Sequence, residues 1–424
     1  MAILTTTATH KTDTLNLKEL LARSRKAQKT LPDGPRDQAL RAIAVALRED
    51  AEAILAANVG DVAAERDRGT PASRIDRLRL DRERIDKIAT ACGQVAALPD
   101  PVHRVVRGWR LEAGPDVREV TVPFGVIGMI YESRPNVTVD AAALAIKAGS
   151  SAVLRGSASA LASNRSLVAA MRRGLVQVGL PADVVTLIDS PDRRWVSEVL
   201  SARGEVDLVI PRGGASLIAH VVETAKVPVI ETGVGNCHVY VHRDADLEMA
   251  RSIVRNAKVQ RPGVCNAAET LLVDAAVAGE LLPELAEVLM SDGVELRGCE
   301  RAREIVPMTA AGDGDWAEEY LDLVLAVRVV DGLEEAIEHV ARWGTGHSEA
   351  IVTRSREAAR RFQRQVDAAA VFVNASTRFT DGFVFGFGAE IGISTQKLHA
   401  RGPMGLEQLV TTKYLVDGDG ETRA

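Results

Sequence analysis

Residues 122–136 read VPFGVIGMIYESRPN, and within them the apolar run Val126 to Ile130 follows a Pro-Phe-Gly turn. From here onward, short apolar runs alternate with amphipathic segments of helix length. Alternating strands and helices form βαβ units, so the pattern predicts a parallel sheet covered by helices on both faces. Such sheets bind ligands at the carboxyl ends of their strands. The predicted strands are Val126 to Ile130, Ala152 to Leu154, Val184 to Ile188, Leu208 to Ile210 and Val227 to Ile230.

After Glu231 a second series of alternating apolar runs and helix-length segments begins, which favours a second α/β domain. Its predicted strands are Val239 to Val241, Thr270 to Val273, Leu325 to Val330, Ala350 to Thr353 and Val371 to Val373. On the amino-terminal side of the quoted stretch, the first hundred residues predict helices, because apolar residues recur at helical spacing, as at Leu40, Ile43 and Leu47.

Residues 102–122 carry two partly alternating stretches around the turn Gly114-Pro115-Asp116, which predicts a long β-hairpin. An isolated pair of strands is marginally stable until it packs on something. We therefore predict that residues 102–122 and the terminal segment 405–418 are oligomerisation elements.

Composition excludes several classes of protein. Apolar residues make up 46% and charged residues 26% of the 424 residues, and the net charge is −6. This balance excludes a strongly basic, non-specific nucleic-acid binder. No run approaches the roughly 20 apolar residues of a membrane-spanning helix, and residues 1–15 lack the apolar run of a signal peptide. We expect a cytoplasmic protein with no nucleic-acid or membrane partner.

Cys265, in the segment QRPGVCN, is the most informative of the four cysteines. A Pro-Gly turn precedes it and small residues follow, which predicts a loop-to-helix junction. There the helix amides and Arg261 would favour the nucleophilic thiolate. A buried structural thiol is the alternative. Cys92 continues an apolar helical stripe, Cys299 stands among charges, and Cys237 lies in a Gly-rich stretch that we expect beside the site.

Neither a metal nor a nucleotide is predicted from short motifs. Cys237, His238 and His242 lack a second ligand pair at zinc-like spacing. The sequence contains neither GxGxxG between a strand and a helix nor GxxxxGK[ST].

Longer segments carry a resemblance. The quoted stretch, followed by KAG at 147–149 and VLRGS at 153–157, resembles the start of the aldehyde dehydrogenase cofactor domain. ETGVGN at 231–236 and Cys265, 34 residues after Glu231, resemble that superfamily's glutamate motif and nucleophile. The segments YESRPNVT, ETGVGNCH and VQRPGVCN and the tail 388–409 are similar to the family of γ-glutamyl phosphate reductases, from about residue 16 to Tyr414.

This resemblance implies an aldehyde dehydrogenase-like α/β fold. A Rossmann-type cofactor domain would comprise residues 1–101 and 123–230, and an α/β catalytic domain residues 231–390, unless its C-terminal part returns to the cofactor domain. The implied activity is NADPH-dependent reduction of L-glutamyl 5-phosphate to L-glutamate 5-semialdehyde and phosphate, in proline biosynthesis. Cys265 would expel phosphate and form a thioester that accepts hydride.

Two other readings stay open. A hydrolytic NAD(P)-dependent aldehyde dehydrogenase would oxidise a semialdehyde without phosphate. A non-catalytic scaffold with this fold would be insensitive to Cys265→Ala. The two predicted oligomerisation elements imply a homo-oligomer, and the resemblance further implies a partnership with glutamate 5-kinase.

The implied catalytic residues are Cys265, Asn136 and Glu231. Negative charge on the reacting carbonyl oxygen needs donors, and the Cys265 amide is one candidate. Aldehyde dehydrogenases supply an Asn where this chain has Ser133, so we predict Asn136 as the second donor. Glu231 matches the carboxylate that activates water in hydrolytic relatives, and it either handles a proton or is structural.

Arginine suits both anionic groups of the implied substrate. The predicted substrate residues are Arg134, Arg261, Asn374, Ser376 and Arg378, although a solvated surface arginine is the alternative for each cation. The predicted cofactor residues are Arg155, for a 2′-phosphate, with Ser157, Ser133, and Gly213 and Gly214 at a helix start near the pyrophosphate.

Overall fold

The computed structural model describes residues 16–423. Residues 1–15, which belong to the predicted cofactor domain and were considered for a signal peptide, lie outside the described residues. Helices form the amino-terminal part, as predicted, and two of them begin at a side-chain cap: Asn16 accepts the Glu19 N–H and Asp81 accepts the Arg84 N–H. They are α1 (Leu17–Gln28), α2 (Arg36–Glu49), α3 (Ala51–Asp67), α4 (Ala72–Leu78) and α5 (Arg82–Ala97).

A hairpin follows these helices, as predicted, and it is completed by the end of the chain. The elements β1 (Val105–Arg110) and β2 (Asp116–Pro123) pair antiparallel. Strand β16 (Val410–Asp417) adds to β2 in register from Val410 opposite Pro123 to Asp417 opposite Asp116. The two predicted oligomerisation elements therefore form a single three-stranded sheet.

The quoted stretch forms the second strand from one edge of a four-stranded parallel sheet with the order β5-β4-β3-β6. Its side chains alternate between two cores: Val126 and Ile130 pack on one face, Ile127 and Met129 on the other. The elements of this region are β3 (Val126–Tyr131), α6 (Pro135–Lys147), β4 (Ser151–Arg155), α7 (Leu161–Gln177), β5 (Val185–Leu187), α8 (Arg194–Ser201), β6 (Leu208–Arg212) and α9 (Ala215–Thr224).

The strand predicted at Val227 to Ile230 is wrong as a full strand. It is reduced to a single bridge between Val229 and Val209. Pro228 lies within this run and has no N–H to donate to a ladder.

The second domain contains a seven-stranded sheet, with the order β10-β9-β11-β8-β7-β12-β13, in which all paired strands are parallel. Helices cover both faces, since Val239 and Val241 enter one core and Tyr240 the other. Its elements are β7 (Cys237–Val241), α10 (Leu247–Val259), β8 (Ala268–Asp274), α11 (Ala275–Ser291), β9 (Glu295–Gly298), α12 (Glu300–Ile305), β10 (Thr309–Ala310), α13 (Asp313–Ala317), β11 (Val324–Val330), α14 (Leu333–Trp343), β12 (Ser348–Val352), α15 (Arg356–Gln365) and β13 (Ala370–Val373).

After the second domain the chain packs again on the first core, through Ile391, Met404 and Leu409. This return includes the two-stranded pair β14 (Gly392–Ser394) and β15 (Gly402–Met404). Among residues 16–423, no helix is both long enough and apolar enough to cross a bilayer.

Candidate active site

The candidate site lies where the carboxyl edge of the first sheet meets the amino edge of the second. Cys265 is in the turn between α10 and β8, so it precedes its strand. Arg212, at the carboxyl end of β6, is the strongest influence favouring the Cys265 thiolate. The expected use of strand carboxyl ends therefore holds for the first sheet only.

The predicted loop-to-helix junction at Cys265 is wrong. The residues after Cys265 form strand β8, because the small residues Ala267 and Ala268 lead into a buried β run rather than a helical stripe. Consequently no helix N-terminus stabilises the thiolate. Burial raises the pKa of the partly exposed Cys265 to about 11, opposed most strongly by Arg212 rather than by the predicted Arg261.

The Gly-rich motif before β7 passes directly over the nucleophile. A Cβ on Gly235 would stand 1.5 Å from the Cys265 carbonyl oxygen, so no other residue fits this close approach. The Gly235 N–H donates to Glu319 Oε1 at 2.7 Å, and the buried Cys237 thiol donates to the Cys265 carbonyl oxygen at 3.2 Å. Cys237 is thus a direct neighbour of Cys265, the predicted nucleophile, in agreement with its expected place beside the site.

Several arginines surround this turn. Burial lowers the pKa of Arg134, and Arg212, Arg77 and Arg261 lower it further while Cys265 opposes them. Burial, followed by Arg261, likewise lowers the pKa of Arg378, whose Nε donates to Gln260 Oε1 at 2.8 Å. Mutually repelling cations around a thiol form a site for an anionic ligand.

The structure therefore brings three predicted arginines together, and it adds Arg212, which the sequence analysis did not select. Arg212 ends β6, and β6 pairs with β3, whose own end leads to Arg134. The signal that could have found it is a cation at the carboxyl end of a strand adjacent to the motif strand.

Asn374 does not join the predicted substrate group. It lies at the carboxyl edge of the second sheet, where its side chain accepts the Thr353 N–H at 2.8 Å and donates to the Thr353 carbonyl at 2.9 Å. The chain then runs back along the sheet and delivers Arg378, not Asn374, to the amino edge. Ser376 is buried, and its hydroxyl accepts the Arg378 N–H at 3.3 Å, so it shapes the turn that carries Arg378.

Asn136 and Ser133 lie at the start of α6, on the wall formed by the first sheet. Asn136 Nδ2 donates to Asp140 Oδ2 at 2.9 Å, while burial raises the pKa of Asp140 to about 6. The Ser133 hydroxyl lies 2.6 Å from Ser159 Oγ and 3.2 Å from Ser157 Oγ. Ser133 therefore groups with the predicted cofactor residues, and Ser159 is a member that sequence reasoning missed.

Arg155 is buried, and its guanidinium donates to the backbone carbonyls of Gly156 at 2.6 Å and Pro191 at 3.2 Å. Gly214 caps α9, and its N–H donates to Glu132 Oε2 at 3.2 Å. A Cβ on Gly213 would come within 2.7 Å of the Glu132 side chain. A carboxylate thus lies at the helix N-terminus where a pyrophosphate is expected, and three hydroxyls lie close together, so these residues fit a dinucleotide.

The carboxyl groups near Cys265 differ from those predicted. Glu231 donates its N–H to Gln396 Oε1 at 3.0 Å, and among the described side chains and backbone groups none donates a hydrogen bond to its carboxylate. The negative charges of Glu390 and Glu319 both raise the pKa of the Cys265 thiol, and burial raises the pKa of each carboxyl group. Both lie far from Cys265 in sequence, so no local pattern could have found them.

No group of three His, Cys, Asp or Glu side chains in the described part of the chain is arranged to hold a metal ion. His238 Nδ1 instead lies 3.0 Å from Glu349 Oε2, and His242 Nδ1 lies 3.0 Å from Thr353 Oγ1.

Comparisons with known proteins agree with this geometry. The aldehyde dehydrogenase family model matches residues 4–323. The γ-glutamyl phosphate reductase of Moorella thermoacetica is 55% identical over 389 residues, covering 92% of this chain and 93% of that protein. The γ-glutamyl phosphate reductase of Desulforamulus reducens is 53% identical over 412 residues, covering 96% and 99%.

Solved structures extend the comparison. The γ-glutamyl phosphate reductase of Thermotoga maritima superposes with a TM-score of 0.94 at 49% identity, covering 96% of this chain and all of that one. An acetylating aldehyde dehydrogenase from Geobacillus thermoglucosidasius gives a TM-score of 0.67 at 18% identity, covering 96% and 97%. The latter likeness shows the fold alone.

Proposed function

Since the chain belongs to the aldehyde dehydrogenase family and, within it, to the γ-glutamyl phosphate reductases, we propose that it reduces L-glutamyl 5-phosphate to L-glutamate 5-semialdehyde and phosphate in proline biosynthesis. The observation that carries this proposal is the partly buried Cys265 thiol among Arg134, Arg212 and Arg378. A nucleophile encircled by cations suits an acyl substrate with an anionic leaving group.

The thiolate of Cys265 attacks the acyl carbon, the carbon–oxygen bond to phosphate breaks, and a thioester remains on the enzyme. The arginines hold the phosphoryl group as it leaves with the bonding electrons. NADPH, held by the predicted cofactor residues, would supply the hydride that reduces this thioester. The thiohemiacetal anion then collapses to the aldehyde and frees the thiolate.

Protons are handled by groups beside the thiol. Burial raises the pKa of Cys265 to about 11, so the proton must move to a base before attack. Glu390 and Glu319 are candidates, since a raised pKa makes a carboxylate a better base. For Glu231, proton handling and a structural role remain the two hypotheses. The amide of Cys265 and the side chain of Asn136 are the proposed donors to the developing oxyanion.

We propose NADP(H) as the cofactor. Its 2′-phosphate and ribose would lie near Arg155 and the hydroxyls of Ser133, Ser157 and Ser159, and its pyrophosphate at the start of α9. The Gly214 N–H already donates to an anionic oxygen there, that of the Glu132 carboxylate, which supports this placement.

The deciding experiment runs the reaction in reverse. NADP⁺ reduction with equilibrated glutamate semialdehyde is measured with and without inorganic phosphate, for the wild type and Cys265→Ser. We expect turnover that requires both phosphate and Cys265. Brisk turnover without phosphate would instead establish the hydrolytic aldehyde dehydrogenase.

The three-stranded sheet supports a homo-oligomer. Every residue of β1 is exposed, and the apolar side chains of Trp109, Tyr414 and Val416 are exposed by 40%, 55% and 57%. An apolar sheet of this kind is expected to be covered by another copy of the chain. Light scattering on the wild type and Tyr414→Asp would test this. Association with glutamate 5-kinase and a cytoplasmic location stay predictions.

A further inference from the structure

The backbone carbonyl of Cys265 accepts a hydrogen bond from a side chain, that of Cys237, to which the proposed reaction assigns no role. Cys237 is fully buried, and its thiol donates to the Cys265 carbonyl oxygen at 3.2 Å. Burial raises the pKa of Cys237 well above its ordinary value, so this group remains a protonated donor. Cys237 is therefore a hydrogen-bond partner of the nucleophilic turn and not a second nucleophile.

Further polar side chains extend from Cys237 across the amino edge of the second sheet. His347 Nδ1 lies 3.7 Å from Cys237 Sγ and 2.8 Å from Ser348 Oγ. The Ser348 hydroxyl donates to Thr380 Oγ1 at 2.6 Å. Burial lowers the pKa of His347 to about 4, so the imidazole is neutral and has one ring N–H to donate within this series of hydrogen bonds.

This series of hydrogen bonds ends at Thr380, in the segment that carries Arg378. The same segment also binds Asn266, the residue after Cys265. Asn266 Nδ2 donates to the Thr380 carbonyl at 2.8 Å, and Thr377 Oγ1 donates to the Asn266 carbonyl at 2.8 Å. Cys265 and Arg378 therefore belong to one hydrogen-bonded frame.

We propose that the buried network of Cys237, His347, Ser348, Thr380 and Asn266 positions the nucleophile relative to Arg378. The proposal rests on the proposed function in taking Cys265 as the nucleophile. Cys237 acts as a positioning residue, because it contacts the Cys265 backbone and leaves the reacting sulfur free. A misplacement of about 1 Å at a reacting centre costs on the order of a hundredfold in rate.

The test compares Cys237→Ala, which removes the donor, with Cys237→Ser, which replaces it by a hydroxyl. We expect Cys237→Ala to lower kcat for phosphate-dependent turnover about ten- to a hundredfold with little change in KM. Cys237→Ser should recover most of that loss. Cys92→Ala is the matched control, since Cys92 is also buried but lies on α5 in the first core.

A second readout separates positioning from a change in thiol pKa. The rate at which iodoacetamide alkylates Cys265 is followed against pH by mass spectrometry. We expect the same midpoint in the wild type and Cys237→Ala, since the neutral Cys237 contributes position and not charge. A midpoint that shifts together with kcat would overturn the proposal, as would equal losses in Cys237→Ala and Cys237→Ser or an unchanged kcat in Cys237→Ala.

Two further measurements keep the test decisive. If Cys237→Ala does not fold, Ser348→Ala breaks the same hydrogen-bonded network two contacts away from Cys237, and an unchanged kcat there would overturn the proposal. The pre-steady-state burst of p-nitrophenol from p-nitrophenyl acetate reports acylation of Cys265 without phosphate or cofactor. A wild type with a burst but no phosphate-dependent turnover would refute the proposed function alone, whereas equal burst rates in wild type and Cys237→Ala would refute the positioning role alone.

Discussion

The two walls of the candidate site use their polar groups differently. On the second-sheet wall, hydrogen bonds from Cys237 and Asn266 fix the turn that carries Cys265. On the first-sheet wall, two residues predicted to bind the cofactor already have polar partners: the Gly214 N–H donates to Glu132, and the Ser133 hydroxyl lies beside that of Ser159. Under the proposed function, one wall is preorganised for chemistry, and the other holds contacts that a bound cofactor would replace.

The largest effect expected from this contrast is at the nucleophile. Cys265→Ser should lower kcat at least about a thousandfold, because an alcohol at neutral pH is a far weaker nucleophile than a thiolate. Phosphate-dependent NADP⁺ reduction measures the effect. The control Cys299→Ser changes another partly exposed thiol and should retain wild-type turnover. Full activity in Cys265→Ser would contradict the view that the second-sheet wall positions Cys265 for chemistry.

Arg212 tests whether the first-sheet wall also contributes to chemistry. Arg212→Met should lower kcat/KM about a hundredfold, because it removes both an anion-binding guanidinium and the main influence that favours the thiolate. The sign follows from charge: without this cation the Cys265 pKa rises, so alkylation by iodoacetamide should require higher pH. Arg303→Met, at an exposed position on α12, serves as the control. An unshifted alkylation profile would contradict this role.

Glu132 lies on the first-sheet wall, and its substitution is expected to strengthen cofactor binding rather than weaken it. Glu132→Gln should lower the KM for NADP⁺ a few-fold at unchanged kcat, since it removes a carboxylate that competes with the pyrophosphate for the Gly214 N–H. Ser159→Ala should raise that KM by a similar factor. Initial-rate kinetics with varied NADP⁺ measure both variants, and a change confined to kcat would place these residues in the chemistry instead.

The smallest expected effect is on stability. The pKa of Asp140 is raised to about 6 by burial, so the folded protein binds this proton more tightly than the unfolded chain does. Its ionised form destabilises the fold above that pH, and the penalty disappears as the pH falls below about 4, where both states are protonated. Asp140→Asn should therefore raise the free energy of unfolding by about 1 kcal/mol at pH 7.5.

Urea unfolding at pH 7.5 and pH 4 measures this difference. Glu304→Gln, at an exposed position on α12, is the control and should change stability little at either pH. A gain for Asp140→Asn that persists at pH 4 would show that packing, and not ionisation, causes it.

Local sequence patterns predicted most of the elements. The amino-terminal helices, the hairpin and most strands of both parallel sheets follow from periodicity, which depends only on neighbouring residues. The short strands β9 and β10, at one side of the second sheet, were not predicted. Pro228 explains the main failure among the strands, since a missing N–H reduced that run to a bridge. The family motifs identified the segments that contain Cys265, Arg134 and the glycines at the start of α9.

The sequence by itself determined most helices and strands, because periodicity lies in short segments, and its family motifs singled out Cys265 as the predicted nucleophile. Only the tertiary structure decided that the second sheet presents its amino edge to the first, which brings Arg212 to Cys265 and leaves Asn374 at the opposite edge. The same arrangement places Cys237 and Thr380 around the nucleophilic turn. These contacts join residues far apart in the chain, and their geometry depends on how whole layers pack.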